Sequence, residues 1–248
     1  MSKITMIGAG NLATHICRAL SGSKYEIVQI YSRTKQSALQ LAEEINAPYT
    51  TDVRNIKPSD LAIIAVNDDS ISEVEKHVTF PKVHTSGTQP MSVLKGDKVG
   101  VFYPLQTFNK NLEVDFNSIP ICLETNNSEL NHIVTSIAQA ISKKVIHLNS
   151  KQRKHLHLAA VMACNFSNLM YQFSQEICVK ENIPFDILRP LILETANKVQ
   201  TNEPKMTQTG PAKRGDLDTI KEHIMLLENE KEKLNIYQLL TESIKSRS

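Results

Sequence analysis

The sequence predicts an α/β fold, a doubly wound and mostly parallel sheet, followed by an all-α C-terminal domain. Three observations carry that expectation. Short β-branched runs alternate with helical segments through the first half, a glycine turn joins the first strand to the first helix, and strand-like runs stop near Asn149.

Taken in order, Lys3–Ile7 reads as a strand and Leu12–Leu20 as a helix; Glu26–Tyr31 is the next strand and Ser37–Ile45 the next helix. Leu61–Val66 is apolar on both faces, as a central parallel strand must be. Further strands are expected at Lys82–His84, Val99–Phe102, Ile119–Leu123 and Lys144–Leu148. Ser150 then reads as the N-cap of a helix running to Lys180. Its Leu156, Ala159, Ala163, Phe166, Met170, Phe173 and Ile177 step by three or four residues into one core stripe. Pro184, Pro190 and Pro204 punctuate the chain beyond Lys180, and Asp216 is placed to cap a helix reaching about Leu227. The expected domains are therefore residues 1–150 and 151–248.

Composition excludes several functions. A formal net charge of +2, with no Trp and 5% aromatic residues, gives no platform for nucleic acid. Cys17, Cys122, Cys164 and Cys178 form no CxxC pair, and the eight His show no ligand spacing, so no metal site is expected. With no apolar run of membrane-spanning length and no signal-peptide pattern, the expected chain is cytoplasmic and makes no membrane contact.

Gly8-Ala9-Gly10-Asn11-Leu12-Ala13 lies between the first strand and first helix and is a GxGxxA dinucleotide fingerprint. Gly8 permits the tight turn, Gly10 admits the pyrophosphate, and Ala13 permits close helix–strand packing. The helix N-terminus at Asn11 and Leu12 attracts the phosphate charge. This makes the first domain Rossmann-like; a purely structural glycine turn is the competing reading. An NAD site usually has Asp or Glu at the end of the second strand. Here that end is Ser32-Arg33-Thr34, which suits a 2′-phosphate and so NADP(H), unless it is only a solvated turn. Val66, Asn67 and Asp68 close the central strand and are candidates for the ribose or nicotinamide, with His84 and Ser86 facing the reacting carbon from the next strand. Asp69 and Ser70 read as helix caps.

A projection at 100° per residue puts His157, Val161, Cys164, Asn165 and Asn168 on one side of the long helix, with Arg153 a turn earlier. An imidazole titrates near physiological pH, so His157 is the first candidate proton donor and His84 the second. Asn165 and Asn168 would orient substrate with Ser86 assisting. Arg214, in Thr209-Gly210-Pro211-Ala212-Lys213-Arg214, would hold a carboxylate. A solvent-exposed polar face is the alternative for each.

Several motifs occur together: the fingerprint, His84-Thr85-Ser86-Gly87, Phe102-Tyr103-Pro104-Leu105-Gln106-Thr107-Phe108, His155-Leu156-His157-Leu158-Ala159-Ala160 with Asn165-Phe166, and Thr209–Asp216. In combination they resemble a family of short-subunit Rossmann-like dehydrogenases with a dedicated C-terminal helical domain. The family's N-terminal half is similar to pyrroline-5-carboxylate reductases and coenzyme F420-dependent NADP reductases. Some members resemble an alternative type of ketopantoate reductase. Leu156 departs from the Tyr common in the family before the motif histidine. The resemblance implies NADPH-dependent reduction of a small keto acid, 2-dehydropantoate to pantoate by preference. An imine reductase of the pyrroline-5-carboxylate type and a non-catalytic NADP-sensing protein are the alternatives. Helical domains in this wider group commonly pair subunits, and a homodimer is expected here.

Overall fold

The computed structural model describes residues 2–247. They divide into two compact units, with the boundary between Ala163 and Cys164. In the first, β1 (Ser2–Ile7) leads through the glycine turn to α1 (Asn11–Leu20), then β2 (Tyr25–Tyr31), α2 (Lys35–Ile45) and β3 (Tyr49–Thr50). Next come β4 (Leu61–Ile64), α3 (Asp68–Val74), β5 (Lys82–His84), β6 (Val99–Pro104), β7 (Ile121–Thr125), α4 (Ser128–Ile141) and β8 (Val145–His147). The sheet order is β3-β2-β1-β4-β5-β6-β7-β8. Every neighbouring pair is parallel except β6 with β7, which the β-branched runs alone did not reveal.

Period-two alternation explains why the strands read as unbroken apolar runs. Ile4, Met6, Leu61 and Ile63 turn to one face, where they pack with Ile16 and Leu20 of α1, Leu41 of α2, and Val134 and Ile137 of α4. Ile7, Ala62 and Ile64 turn to the other and meet Ile71 and Val74 of α3. The sheet is thus wound on both sides. Its order reverses between β1 and β4, which places the ligand crevice at the carboxyl ends of these strands.

The first unit ends with α5 (Ser150–Ala160). Asn149, not Ser150, is its N-cap: the Asn149 side chain accepts the Gln152 N–H, and the Gln152 side chain accepts the Asn149 N–H in return. Ser150 is diverted, its hydroxyl bonding both Glu124 oxygens and receiving the Met91 N–H. A π-helical segment, Val161–Phe166, comes next and leads into α6 (Ser167–Lys180). The i→i+5 pattern breaks the 3.6-residue period, so a projection at 100° per residue does not carry through it.

The second unit adds α7 (Arg189–Thr201), α8 (Pro204–Thr207), α9 (Pro211–Arg214), α10 (Leu217–Leu226) and α11 (Lys231–Lys245). Asp216 caps α10 as expected, accepting from the Thr219 N–H and hydroxyl. The core stripe expected along the long helix is buried only in part: Leu156 packs against Val101, Tyr103 and Cys122, whereas Phe166 is 53% and Ile177 42% exposed. No helix among the described residues is long and apolar enough to cross a membrane.

Arg153 is 1% exposed and ion-paired to Glu124 of β7, joining α5 to the sheet. Replacing Arg153 with Leu strands the Glu124 carboxylate in a poorly hydrated site, and a loss of about 3–5 kcal/mol is expected. Urea unfolding checks it; a variant within about 1 kcal/mol of the parent would show that the pair carries no such role.

Candidate active site

The β1–α1 turn shows why its glycines are there. Gly8 has φ +121°, and a Cβ on it would collide with the Ala65 carbonyl oxygen. Its N–H meets the Tyr31 carbonyl at 2.7 Å, so the turn is held against both neighbouring strand ends. Nothing lies within 4 Å of a Cβ built on Gly10, which caps α1 without a side chain; α1 has no acid in its first turn. An anion therefore has an open approach to the helix N-terminus. A cleft of about 150 Å³ joins these glycines to Ser32, Arg33, Thr34, Val66 and Asn67. Leu12 packs against the core, while the Asn11 side chain turns away. It donates to the Phe108 carbonyl and accepts the Lys110 N–H, so only the Asn11 backbone remains for a phosphate.

At the end of β2, the Ser32 oxygen accepts the Thr34 N–H at 3.3 Å. Thr34 precedes α2 without a side-chain capping bond, and Arg33 forms no ion pair among the described residues. Two hydroxyls and an uncommitted guanidinium thus border the cleft beside a second acid-free helix start.

Past β4, Asn67 is the N-cap of α3 but makes no capping bond, leaving its amide on the cleft. Asp69 and Ser70 lie inside the first turn of α3 rather than capping it. Asp68, expected on the cofactor, has another role: its Oδ2 accepts the Ser86 hydroxyl at 2.8 Å and also the Thr88 hydroxyl. Ser86 is equally committed. Besides donating to Asp68, its oxygen receives the N–H groups of Thr88 and Gln89 at 3.1 and 2.9 Å. Both side chains rigidify the 86–89 turn, because the short hydroxyl satisfies backbone groups that a turn leaves open.

His84 is fully buried, with Nδ1 accepting the Ser86 N–H at 3.1 Å and Nε2 without a hydrogen-bond partner. Burial, and secondarily the Arg153 charge, holds it down at about 4. A neutral, enclosed imidazole cannot serve as the acid at physiological pH, which overturns the expectation that His84 is a reserve proton donor.

His157 differs. It is half-buried on α5, and its Nδ1 lies 2.9 Å from the Tyr103 hydroxyl at the end of β6. A Cβ on Gly87 would sit 2.6 Å from that Nδ1 and 2.9 Å from Tyr103 Cζ, so the imidazole and phenol close over a residue that must be glycine. Arg153, one turn earlier, is turned into the sheet. It bonds Glu124 and, at 2.5 Å, the Gln89 carbonyl. Gly87 and Tyr103 stand in motifs the sequence displays, but no role for them follows from the sequence, and nothing in it singles out Glu124.

The other candidates belong to the helical unit. Asn165, in the π segment, and Asn168, in the first turn of α6, are described within that unit, and both are exposed. Arg214, at the end of α9, is exposed, with its guanidinium 3.8 Å from Asp216.

Residues 119–244, just over half of the chain, match the family model described as a domain of unknown function, DUF2520. The chain belongs to this family. Residues 2–96 match the model described as an oxidoreductase family with an NAD-binding Rossmann fold. With the fingerprint geometry above, the first unit is an NAD(P)-binding Rossmann domain of the oxidoreductase type. Among solved structures, a Bacteroides fragilis protein described as an NADP oxidoreductase is 43% identical. That match covers 99% of this chain and 98% of that one, with a TM-score of 0.93. A Thermotoga maritima protein is 24% identical over 98% of this chain and 97% of its own, with a TM-score of 0.75. The 1-pyrroline-5-carboxylate reductase of Streptococcus pyogenes, 18% identical over 99% and 98%, shares the fold with a TM-score of 0.65. No curated protein matches the chain.

The buried His84 makes stability pH-dependent. The unfolded chain takes up this proton near 6.5 and the folded one only near 4. Its contribution, about 3 kcal/mol, is complete above pH 6.5, declines as pH falls through that window and is gone below 4. Between about pH 7 and pH 4.5, urea midpoints should fall further for the parent than for His84→Gln; equal falls would assign the loss to other groups.

Proposed function

We propose that this chain is an NADPH-dependent reductase of a small 2-keto acid, with 2-dehydropantoate as the preferred substrate and pantoate as product. One observation carries the reading: the imidazole of His157, docked on Tyr103 through the gap at Gly87, belongs to the Rossmann unit itself and lies at the carboxyl end of its strands. The resemblance to the alternative ketopantoate reductases supplies the choice of keto acid.

The residues present fit the cofactor. The N–H groups at the start of α1 would hold the pyrophosphate over Gly10, and Arg33 with Ser32 and Thr34 would take the 2′-phosphate. Asn67 and Val66 line the same cleft toward the nicotinamide-ribose end. When bound, reduced nicotinamide supplies the hydride to the carbonyl carbon. His157 supplies the proton as the carbonyl oxygen takes on negative charge. The sequence alone assigns Asn165 and Asn168 to orienting the carbonyl and Arg214 to holding the carboxylate. Asp68, Ser86 and His84 fix the 86–89 turn on which His157 rests. We further propose a homodimer formed through the helical unit, whose Leu191, Leu193, Leu226 and Leu239 are each more than 60% exposed, a large apolar surface for a free monomer.

The experiment is a panel of 2-keto acids and cyclic imines followed by NADPH and NADH absorbance. Cyclic imines are included because a pyrroline-5-carboxylate reductase shares the fold. Turnover of an imine alone would move the assignment to that class, and cofactor binding without turnover would point to a sensor. Within it, Arg33→Ala should weaken NADPH roughly 10–100-fold while leaving NADH unchanged. His157→Ala should lower kcat by about 100-fold or more, and Arg214→Ala should raise KM for the acid. Retention of the parent rate within twofold by both variants would remove them from the site.

A further inference from the structure

We propose that Tyr103 is a positioning residue that sets the tautomer of His157: its oxygen accepts the Nδ1–H, leaving Nε2 as the nitrogen that takes up and releases protons. The inference deepens the reading of His157 as proton donor and rests on it for its functional meaning. Three observations lead to it. The Nδ1 to hydroxyl distance is 2.9 Å, a formed hydrogen bond. The rings meet edge-on, with centroids 6.1 Å apart and planes at 64°, so the phenol meets the imidazole through its edge and the bond rather than by stacking. Gly87 lies so close to Nδ1 and Cγ that the Nδ1 side of the ring is closed off, and Nε2 is the nitrogen left for a substrate.

The groups around the pair leave Tyr103 free for this role. Burial pushes the phenol up to about 12, with Cys122 adding to the shift and Arg153 opposing it, so it stays a neutral hydroxyl. His84 on β5 is neutral, Asp68 on α3 is engaged by Ser86 and Thr88, and Arg153 on α5 is closed by Glu124 on β7. Cys122 on β7 is also raised by burial and remains a thiol. No nearby group among the described residues competes for Nδ1.

Protons and electrons balance in the step. The carbonyl carbon receives a hydride from reduced nicotinamide, its C=O π pair moves onto oxygen, and that oxygen takes the proton from Nε2 of the imidazolium. The Nε2–H bond breaks and the alcohol O–H forms, while Nδ1–H stays on the Tyr103 oxygen throughout. Nε2 then recovers a proton from solvent. Losing the Tyr103 acceptor removes a charge-assisted bond from the imidazolium and makes it a stronger acid.

The test is ¹⁵N NMR of histidine-labelled protein, with His157 assigned by its absence from His157→Ala, across a pH titration. The parent's neutral His157 should carry its proton on Nδ1, and Tyr103→Phe should shift it to the Nε2–H form or a mixture and lower the titration midpoint. Gly87→Ala, which drives the ring off Tyr103 while keeping the hydroxyl, should do the same. In turnover, Tyr103→Phe should lose about tenfold in kcat, with KM for NADPH within about twofold and the basic limb of the pH profile moved to lower pH. Nε2–H in the parent, or a tautomer and midpoint unchanged in both variants, would overturn the proposal. Full turnover by His157→Ala would overturn the donor reading instead; the spectrum decides the pairing on its own.

Discussion

The buried ion pair between Arg153 and Glu124 is the interaction on which this site depends. A buried pair is an expensive way to join a helix to a sheet, because both charges leave water. Its return is register. Glu124 lies opposite Val101 in the β6–β7 ladder, and Tyr103 lies opposite Cys122, two residues along. Two residues of strand span about 6.7 Å, and four residues of helix rise about 6 Å. With Arg153 fixed on Glu124, the next turn of α5 therefore brings His157 to Tyr103. Apolar contacts alone would tolerate sliding of the helix by part of a turn; a guanidinium that also bonds the Gln89 carbonyl and the Ser150 hydroxyl does not. The same cation ties down the turn that carries Gly87, so helix, strand and turn share one anchor.

This anchoring shapes the electrostatics of the crevice. Its inner groups are paired, hydrogen-bonded or neutral: Arg153 with Glu124, Asp68 under two hydroxyls, and His84, Tyr103 and Cys122 each kept uncharged by burial. Open positive potential is left at the helix starts beside Gly10 and at Arg33. A dinucleotide bearing phosphates thus meets its attraction beside Gly10 and Arg33. Fields act strongly where water is thin, so removing stray charge near the imidazole matters as much as adding charge near the phosphates.

The fold was legible because its signals are local. The GxGxxA turn and the period-two alternation of Ile4, Met6 and Ile7 are read within a few residues, and both describe a surface that packs the same way in any doubly wound sheet. The basic turn at Ser32–Thr34 was legible for the same reason. The imidazole at His157 was identified from a helical phase that holds only up to Val161, where the π segment begins. Hidden were the pairings that define its surroundings: Tyr103 is 54 residues from His157, and Glu124 is 29 from Arg153. No periodicity links such positions. Arg153 therefore looked like a free cation, and His84 like an accessible imidazole, when each had been withdrawn into the sheet.

Three glycines, each lacking a Cβ for a different reason, show how binding and chemistry are joined on one scaffold. Gly8 yields to the backbone of Ala65, so the fold itself forbids a side chain there. Gly10 faces open space, where a side chain would meet only an incoming phosphate; its constraint is the ligand's. Gly87 yields to His157 and Tyr103, a constraint created by two side chains, one from α5 and one from β6. A turn that only linked β5 to the next segment would tolerate Ala or Ser at that position. Giving up that Cβ lets an imidazole and a phenol meet, and the role proposed for His157 rests on that meeting.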